Sequence, residues 1–151
     1  MPLYFAYGSN MDHAAMAERC PASRPLGTAR LPRHKILINS DGYATIVRDP
    51  RATVHGVLYD LALSDVGALD RYEDVARGLY RKVIQPVLTA AGPRRAMVYI
   101  GRSSEPGQPR SGYLDTVVAA ARAAGLPSSY ISDLAGESLP QQFRAIGQKT
   151  R

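Results

Sequence analysis

The sequence predicts an α+β fold in which helices lie outside a small mixed or barrel-like β-sheet. Three observations predict it. The chain opens with a strand, a turn and a helix; several β-prone segments then follow one another directly; and a helix, a strand pair and further helices complete the order. Strand and helix patterns do not alternate regularly, so a doubly wound parallel sheet is not expected.

The opening segment combines a buried strand with a turn of small residues. Residues 3–7 are apolar and aromatic, as is typical of a short buried strand. Gly8, Ser9 and Asn10 then form a tight turn before a helix at residues 12–19. Such a loop can direct several backbone N–H groups at one anion. Taken alone, the pattern is more typical of an ordinary first strand and turn, because the glycine-rich motifs that bind nucleotide phosphates are missing from it.

The middle of the chain is β-prone. We predict strands at residues 28–31, 34–39, 43–47 and 53–60, with a turn at Asp49-Pro50 between the last two. Gly56 lies inside the last of these strands and indicates a bulge or a close approach by another segment. A strand pair follows at residues 79–88 and 94–100, in which Pro86 indicates a sheet edge or a bulge.

Three helices are predicted in the rest of the chain. Ser64 is placed to cap a helix over residues 65–73, and Ser111 to cap one that begins at Tyr113. A last short helix begins at Ser128 or Ser129 and continues through Leu134. We assign residues 1–137 to one domain and residues 138–151 to a basic C-terminal tail.

Composition restricts the class of protein. A chain of 151 residues with 45% hydrophobic and 21% charged residues is typical of one globular domain. No apolar run approaches the roughly 18 residues of a membrane helix, and the N-terminal residues lack the pattern of a secretory signal. With Cys20 as its one cysteine, the chain is expected to be cytoplasmic. A monomer and a homodimer are both compatible with the sequence.

The net charge of +6 suggests either a nucleic acid or an anionic small molecule as partner. The basic residues are scattered, and they form no block of five or six. The basic–aromatic motifs of RNA-binding domains are missing as well. A nucleic-acid partner is therefore not expected, although a basic nucleic-acid adaptor is kept as an alternative.

Two kinds of site are weakly supported by the residue pattern. His13, His34 and His55 lie far apart, without acidic partners at the spacing of metal ligands, so no metal site is expected. Ser9 is not part of the Gly-x-Ser-x-Gly elbow of serine hydrolases. Its ordinary role would be a hydrogen bond to the local backbone.

Glu73 is the most informative acid in the sequence. In a helix that begins near residue 65, Leu69 and Glu73 share one face, so Glu73 points toward the protein with the buried leucine. A buried carboxylate without a cationic partner has a raised pKa, which suits a general base near neutral pH. The alternative is an ion pair with Arg71, Arg77 or Arg81, or a solvent-exposed acid at the helix end.

Three segments of the chain belong together: YFAYGSNM at residues 4–11, LDRYEDV at 69–75 with GLY at 78–80, and PRSGYL at 109–114. In order and in spacing, they resemble the γ-glutamylcyclotransferases. The resemblance implies a small mixed β-barrel with flanking helices and one cavity. It also implies cyclisation of a γ-glutamyl amide to 5-oxoproline, with release of an amine or amino acid. This intramolecular reaction requires no metal and no other cofactor.

The same resemblance assigns roles to particular residues. Glu73 would be the general acid/base that moves a proton from the substrate's α-ammonium group to the departing nitrogen. Tyr80 and Tyr113 would line the cavity. The groups that bind the substrate's carboxylate or carbonyl oxygen would be the backbone N–H groups of Tyr7, Gly8, Ser9 and Asn10.

Two features of the resemblance leave alternatives open. The Gly-Ser-Asn turn is closer to enzymes that act on γ-glutamyl amino acids than to those that act on γ-glutamyl amines or glutathione, although the amine-specific reaction is kept as an alternative. Asp74 stands where the family often has glycine, and it would raise the pKa of Glu73, bind an amine or face solvent. A non-catalytic binding module on the same fold is the remaining alternative.

Overall fold

The structure, a computed structural model, describes residues 2–136. Five strands close into a barrel in the order β1-β3-β2-β4-β5. The pairing of β1 makes the sheet mixed, because β1 runs antiparallel to β3 and parallel to β5. The strands are β1 (Leu3–Ala6), β2 (Arg24–Ile38), β3 (Ala44–Asp60), β4 (Tyr80–Thr89) and β5 (Gly92–Gly101). The predicted α+β class with a barrel-like sheet is confirmed, whereas the predicted tail at residues 138–151 lies outside the described residues.

Within residues 2–136, four α-helices accompany the barrel: α1 (His13–Arg19), α2 (Val66–Tyr72), α3 (Tyr113–Ala124) and α4 (Ser128–Gly136). The predicted cap at Ser64 is wrong, because Asp65 takes that position and a 3₁₀ turn, Leu63–Asp65, precedes the helix. The predicted cap at Ser111 is also wrong. Gly112 precedes α3 with a φ of +76°, in the left-handed region that glycine adopts without strain.

The long hairpin of β2 and β3 differs most from the prediction, which divided it into four short strands. The predicted turn at Asp49-Pro50 is wrong as a strand boundary, since β3 continues through it. Pairing passes from Pro32 opposite Thr53 to His34 opposite Arg48, so that one residue of β2 faces residues 49–52 of β3. Asp49 and Pro50 thus lie within a wide irregularity of the β2–β3 pairing, and regular pairing resumes on both sides of it.

Two predictions for special strand positions agree with the structure. A Cβ on Gly56 would lie 2.3 Å from the Ala6 carbonyl oxygen and 2.9 Å from the Phe5 ring, so the strand backbones approach there more closely than any side chain permits. Pro86 lies in β4, which pairs with β5 along its length. On its other side, β4 pairs with β2 where Leu88 lies opposite Arg30. Proline is therefore accommodated in a strand that is close to a free edge on one side.

The close contact at Gly56 fixes where β1 ends and where the following turn begins. All four residues of β1 are buried, and Phe5 is completely so. Its partner β3 contributes Val57 and Tyr59 to the same core. Because β1 is held between β3 and β5, the turn that follows it is held at one end of the barrel.

We expect Gly56→Ala to destabilise the protein by roughly 1–3 kcal/mol, because its methyl group would overlap the β1 backbone. The matched control is Gly67→Ala in α2, where the new Cβ would lie 3.5 Å from the nearest atom, in the Arg71 side chain. Alanine favours a helix over glycine by roughly 0.5–1 kcal/mol, so the control is expected to be neutral or stabilising. Urea unfolding measures both variants, and equal midpoints for them would contradict the close contact.

Candidate active site

A cavity of about 120 Å³ opens beside the end of β1. For scale, cavities of roughly 150 Å³ hold a molecule of the size of benzene, so this space suits a five-membered ring. The structure brings all seven predicted site residues to its wall, although they come from four separate parts of the sequence. They are Tyr7, Gly8, Ser9, Asn10, Glu73, Tyr80 and Tyr113.

The turn after β1 forms one wall of the cavity as a 3₁₀ turn, Ser9–Met11. Its two backbone hydrogen bonds run from the Met11 N–H to the Gly8 carbonyl (3.1 Å) and from the Asp12 N–H to the Ser9 carbonyl (3.2 Å). The N–H groups of Ser9 and Asn10 therefore have no carbonyl partner within the turn, as expected for the first residues of a helical turn. Backbone donors of this kind are suited to an anionic or carbonyl oxygen.

Asn10 anchors this turn to the barrel. Its side-chain amide donates to the Tyr4 hydroxyl (3.0 Å), and its carbonyl accepts from the Tyr59 hydroxyl (2.7 Å). Its side-chain oxygen accepts a hydrogen bond from the Arg19 guanidinium. The Asn10 side chain is buried and engaged at both ends, so its contribution to a ligand would come from the main chain.

Glu73 follows the last residue of α2 and donates its backbone N–H to the Leu69 carbonyl (3.0 Å). Leu69 is fully buried, which confirms the predicted inward face. The Glu73 side chain is partly buried. Burial raises the pKa of Glu73 to about 7, and the Arg19 guanidinium offsets part of that rise.

The predicted alternative for Glu73, an ion pair with a neighbouring arginine, is not found. Among residues 2–136, the ion pairs of this region join Arg77 to Asp74 and Lys82 to Asp70, and none includes Glu73. The hydrogen bonds of the described side chains leave its carboxylate without a protein partner as well. A carboxylate of this kind can gain or release a proton near neutral pH without breaking a protein contact.

Asp74 has a conformational role next to Glu73. Its φ of +55° lies in the left-handed region that favours glycine. Aspartate tolerates this region better than most residues. Its carboxylate binds Arg77 Nε at 3.0 Å and is not among the groups that raise the pKa of Glu73.

Tyrosine hydroxyls tie the other walls of the cavity together. Tyr80 donates to the Ala44 carbonyl (2.5 Å), and Tyr113 accepts from the Ala44 N–H (3.2 Å). Tyr7 donates to the Tyr99 carbonyl (2.6 Å). Burial raises the pKa of Tyr7, Tyr80 and Tyr113, so these phenols stay neutral while Glu73 titrates. Their bonds to the main chain fix the rings as walls of the cavity.

Gly8 allows Tyr113 to come close to the turn, since a Cβ on Gly8 would lie 3.1 Å from the Tyr113 hydroxyl oxygen. Tyr43 packs edge-on against the Tyr113 ring, with 5.3 Å between the ring centres. The residues around the turn, α3 and the β2–β3 hairpin therefore form one packed unit at the cavity.

Two residues at the rim were missed in the sequence. One is Tyr72, which lines the cavity and whose hydroxyl lies 2.9 Å from Ser9 Oγ. The Ser9 hydroxyl therefore bonds to a side chain, and the prediction that it bonds to the local backbone is wrong. The Arg19 guanidinium lies 3.7 Å above the Tyr72 ring centre. Tyr72 could have been found from the sequence, because it directly precedes Glu73 in the segment LDRYEDV. Arg19 could not, because it is one of many scattered basic residues.

No helix within the described part of the chain is long and apolar enough to cross a bilayer.

Comparison with known proteins gives one consistent family. The model of the AIG2-like family matches residues 53–134. The gamma-glutamylcyclotransferases of Homo sapiens and Mus musculus are each 30% identical to this chain over 139 residues, which cover 85% of this chain and 74% of theirs. A solved structure of a gamma-glutamyl cyclotransferase superimposes with a TM-score of 0.82 at 30% identity, over 89% of this chain and 86% of its own. The chain therefore belongs to the AIG2-like family of γ-glutamylcyclotransferases.

Proposed function

We propose that this protein cyclises γ-glutamyl amino acids to 5-oxoproline and the free amino acid, with Glu73 as the general acid/base. One observation carries the proposal: the Glu73 carboxylate, which pairs with no side chain of residues 2–136, shares a small cavity with a turn that offers backbone N–H donors. Burial raises the pKa of this carboxyl group to about 7. The relatives that are 30% identical bear the name of this activity.

The reaction begins with a proton transfer. Ionised Glu73 takes a proton from the substrate's α-ammonium group, and the freed amine attacks the γ-carbonyl carbon of the same molecule. Because attacking and attacked atoms belong to one chain, closure of a five-membered ring depends mainly on holding the substrate folded. A cavity of about 120 Å³ with rigid tyrosine walls favours that folded form.

The second step returns the proton. The attack creates a tetrahedral intermediate with negative charge on the former carbonyl oxygen. Protonated Glu73 gives its proton to the departing nitrogen, the bond between carbon and that nitrogen breaks, and the oxygen becomes the lactam carbonyl. The ring nitrogen still carries a second proton of the original ammonium group, and Glu73 passes this proton to the released amine, which leaves as an ammonium ion. The atoms balance without added water, since one γ-glutamyl amide gives one 5-oxoproline and one amine.

The turn after β1 is assigned to the substrate's oxygen atoms. The N–H groups of Gly8, Ser9 and Asn10 would donate to the α-carboxylate or to the developing oxyanion, which fixed donors stabilise more than the ground-state carbonyl. Tyr7, Tyr80 and Tyr113 would enclose the ring. Neutral phenols are suited to this role because they add no charge that would compete with Glu73 for the substrate's ammonium group.

The proposed mechanism makes opposite predictions for the carboxyl groups of Glu73 and Asp74. Glu73→Gln is expected to lower kcat/KM for γ-glutamyl-L-alanine by about 10²–10⁴-fold, the usual contribution of a general acid/base. Asp74→Asn is the matched control, because it removes the adjacent carboxylate, which pairs with Arg77. Release of 5-oxoproline, measured by chromatography, tests both. Equal activity in the two variants would overturn the assignment of Glu73.

The pH dependence of kcat/KM follows from the raised pKa of Glu73. The ionised form starts the reaction, so activity is expected to fall below pH of about 7, with a tenfold loss for each further pH unit. A carboxyl group in an ordinary environment would instead place this fall near pH 4.5. The initial rate at low substrate concentration, measured across the pH range, distinguishes the two cases. A midpoint near pH 4.5 would contradict the proposed environment of Glu73.

The stability of the folded protein is expected to change with pH in the opposite direction to its activity. The folded pKa of Glu73 lies above its unfolded value of 4.5, so the folded state binds the proton more tightly. This contribution is complete below pH 4.5 and is lost as pH rises through about 7. Glu73→Gln is therefore expected to raise the free energy of unfolding at about pH 8 by on the order of 1–3 kcal/mol. Below pH 4.5 the substitution should change the free energy of unfolding little. Urea unfolding at both pH values measures this, and a variant that is less stable than the wild type at the higher pH would contradict the account.

A further inference from the structure

Arg19 lies beside two residues of the cavity wall and has no carboxylate partner among the described residues. Its guanidinium stacks 3.7 Å above the Tyr72 ring and donates to the Asn10 side-chain oxygen. Both of these partners line the cavity. Within residues 2–136, Arg19 takes part in no ion pair, and its other N–H groups have no protein acceptor. A half-buried guanidinium with unused donors is suited to an anion that enters with the substrate.

The position of Arg19 relative to Glu73 indicates which part of the substrate it can reach. Its charge acts on the Glu73 carboxyl group and lowers the pKa, yet the two side chains form no ion pair. Glu73 must contact the departing nitrogen to protonate it. In a γ-glutamyl amino acid, a single carbon separates that nitrogen from the carboxylate of the departing amino acid. When the nitrogen contacts Glu73, the carboxylate therefore lies close to Glu73 as well, in the region where the charge of Arg19 acts.

We propose that Arg19 binds the carboxylate of the departing amino acid and thereby makes the enzyme selective for γ-glutamyl amino acids over γ-glutamyl amines. This inference rests on the proposed function and specifies its substrate class. The backbone donors of the turn serve the γ-glutamyl half of the substrate, and Arg19 serves the other half.

The surroundings of Arg19 hold it ready for this contact. Contact with the face of the Tyr72 ring restrains the guanidinium, and the bond to Asn10 uses one end of it. A planar guanidinium held in this way can offer two parallel N–H groups to a carboxylate, with little further loss of side-chain freedom. Lysine cannot make this pair of bonds, so Arg19→Lys should retain the charge but only part of the selectivity.

Arg110 provides a matched control, because it also stacks on a tyrosine of the cavity wall. Its guanidinium lies 4.7 Å from the Tyr43 ring centre, and its Nε donates to the Asp41 carbonyl (2.9 Å). Arg110 is exposed and is not among the groups that shift the pKa of Glu73. Arg110 therefore shares with Arg19 the stacking on a tyrosine, but its charge does not act on Glu73.

The test compares γ-glutamyl-L-alanine with γ-glutamyl-L-alaninamide, which has nearly the same shape but no carboxylate. The wild-type protein is expected to prefer the alanine substrate in kcat/KM by about ten- to a hundredfold, the effect of a charged hydrogen-bonded pair. Arg19→Met should bring this ratio close to one, Arg19→Lys should leave an intermediate ratio, and Arg110→Met should keep the wild-type ratio. Assays at about pH 8.5 keep Glu73 ionised in each protein.

The ratio separates selectivity from any general damage, since a loss that both substrates share cancels in it. A wild-type ratio near one, or an equal loss for both substrates in Arg19→Met, would overturn the role of Arg19 while 5-oxoproline release still supports the proposed function. A change of ratio in Arg110→Met instead would also overturn it. If Arg19→Met does not fold, the wild-type and Arg19→Lys ratios decide.

A wild-type protein that cyclises neither compound would overturn the proposed function. The role of Arg19 is then decided by calorimetric binding of the same two compounds. Tighter binding of γ-glutamyl-L-alanine that is lost in Arg19→Lys would support the carboxylate contact, and equal binding of the two compounds would exclude it.

Discussion

Burial of the Glu73 carboxyl group without an ion-pair partner in the described part of the chain is the constraint on which the rest of the site depends. Withdrawal from water raises its pKa to about 7, which places the gain and loss of a proton within reach of neutral pH. A direct ion pair would favour the charged form and abolish this property. The residues around Glu73 must therefore supply enough positive charge to stabilise the ionised carboxylate, but none of their cations can form an ion pair with it.

The charged groups near Glu73 are arranged in this way. Asp70 binds Lys82 (3.0 Å), and Asp74 binds Arg77 (3.0 Å), so two bases of this region are occupied by other acids. Both pairs are partly exposed, and each contributes little to stability by itself. Lys82 and Arg77 are thereby occupied by other acids, and within residues 2–136 Glu73 remains without an ion-pair partner.

Arg19 is restrained in a different manner. Its stacking on Tyr72 and its hydrogen bond to Asn10 direct the guanidinium across the rim, where its charge moderates the pKa of Glu73. Asn10 thus joins the two halves of the site: its side chain holds Arg19, and its main chain belongs to the turn that faces the cavity. The same buried asparagine is anchored by Tyr4 and Tyr59 in the barrel. Stability of the barrel and geometry of the site are consequently linked.

Much of this arrangement could be predicted from the sequence, because it depends on local patterns. Apolar runs, alternation and turn residues predicted β1, β4 and β5, and the spacing of Leu69 and Glu73 predicted the inward face of α2. Gly56 indicated a bulge or a close approach, and the segment that approaches it is β1. Contacts between distant segments could not be predicted in this way. The irregular pairing around Asp49 is set by the partner strand, and the path of Arg19 depends on Asn10 and Tyr72 meeting in space.

A crystal structure with bound 5-oxoproline is the most direct test of the central claim, that Glu73 and the turn after β1 act on one small ring. We predict that the lactam nitrogen lies within hydrogen-bond distance of the Glu73 carboxyl group, while an oxygen of the product accepts from N–H groups of Gly8, Ser9 or Asn10. A product bound in this cavity without contact to Glu73, or bound elsewhere on the protein, would contradict the account.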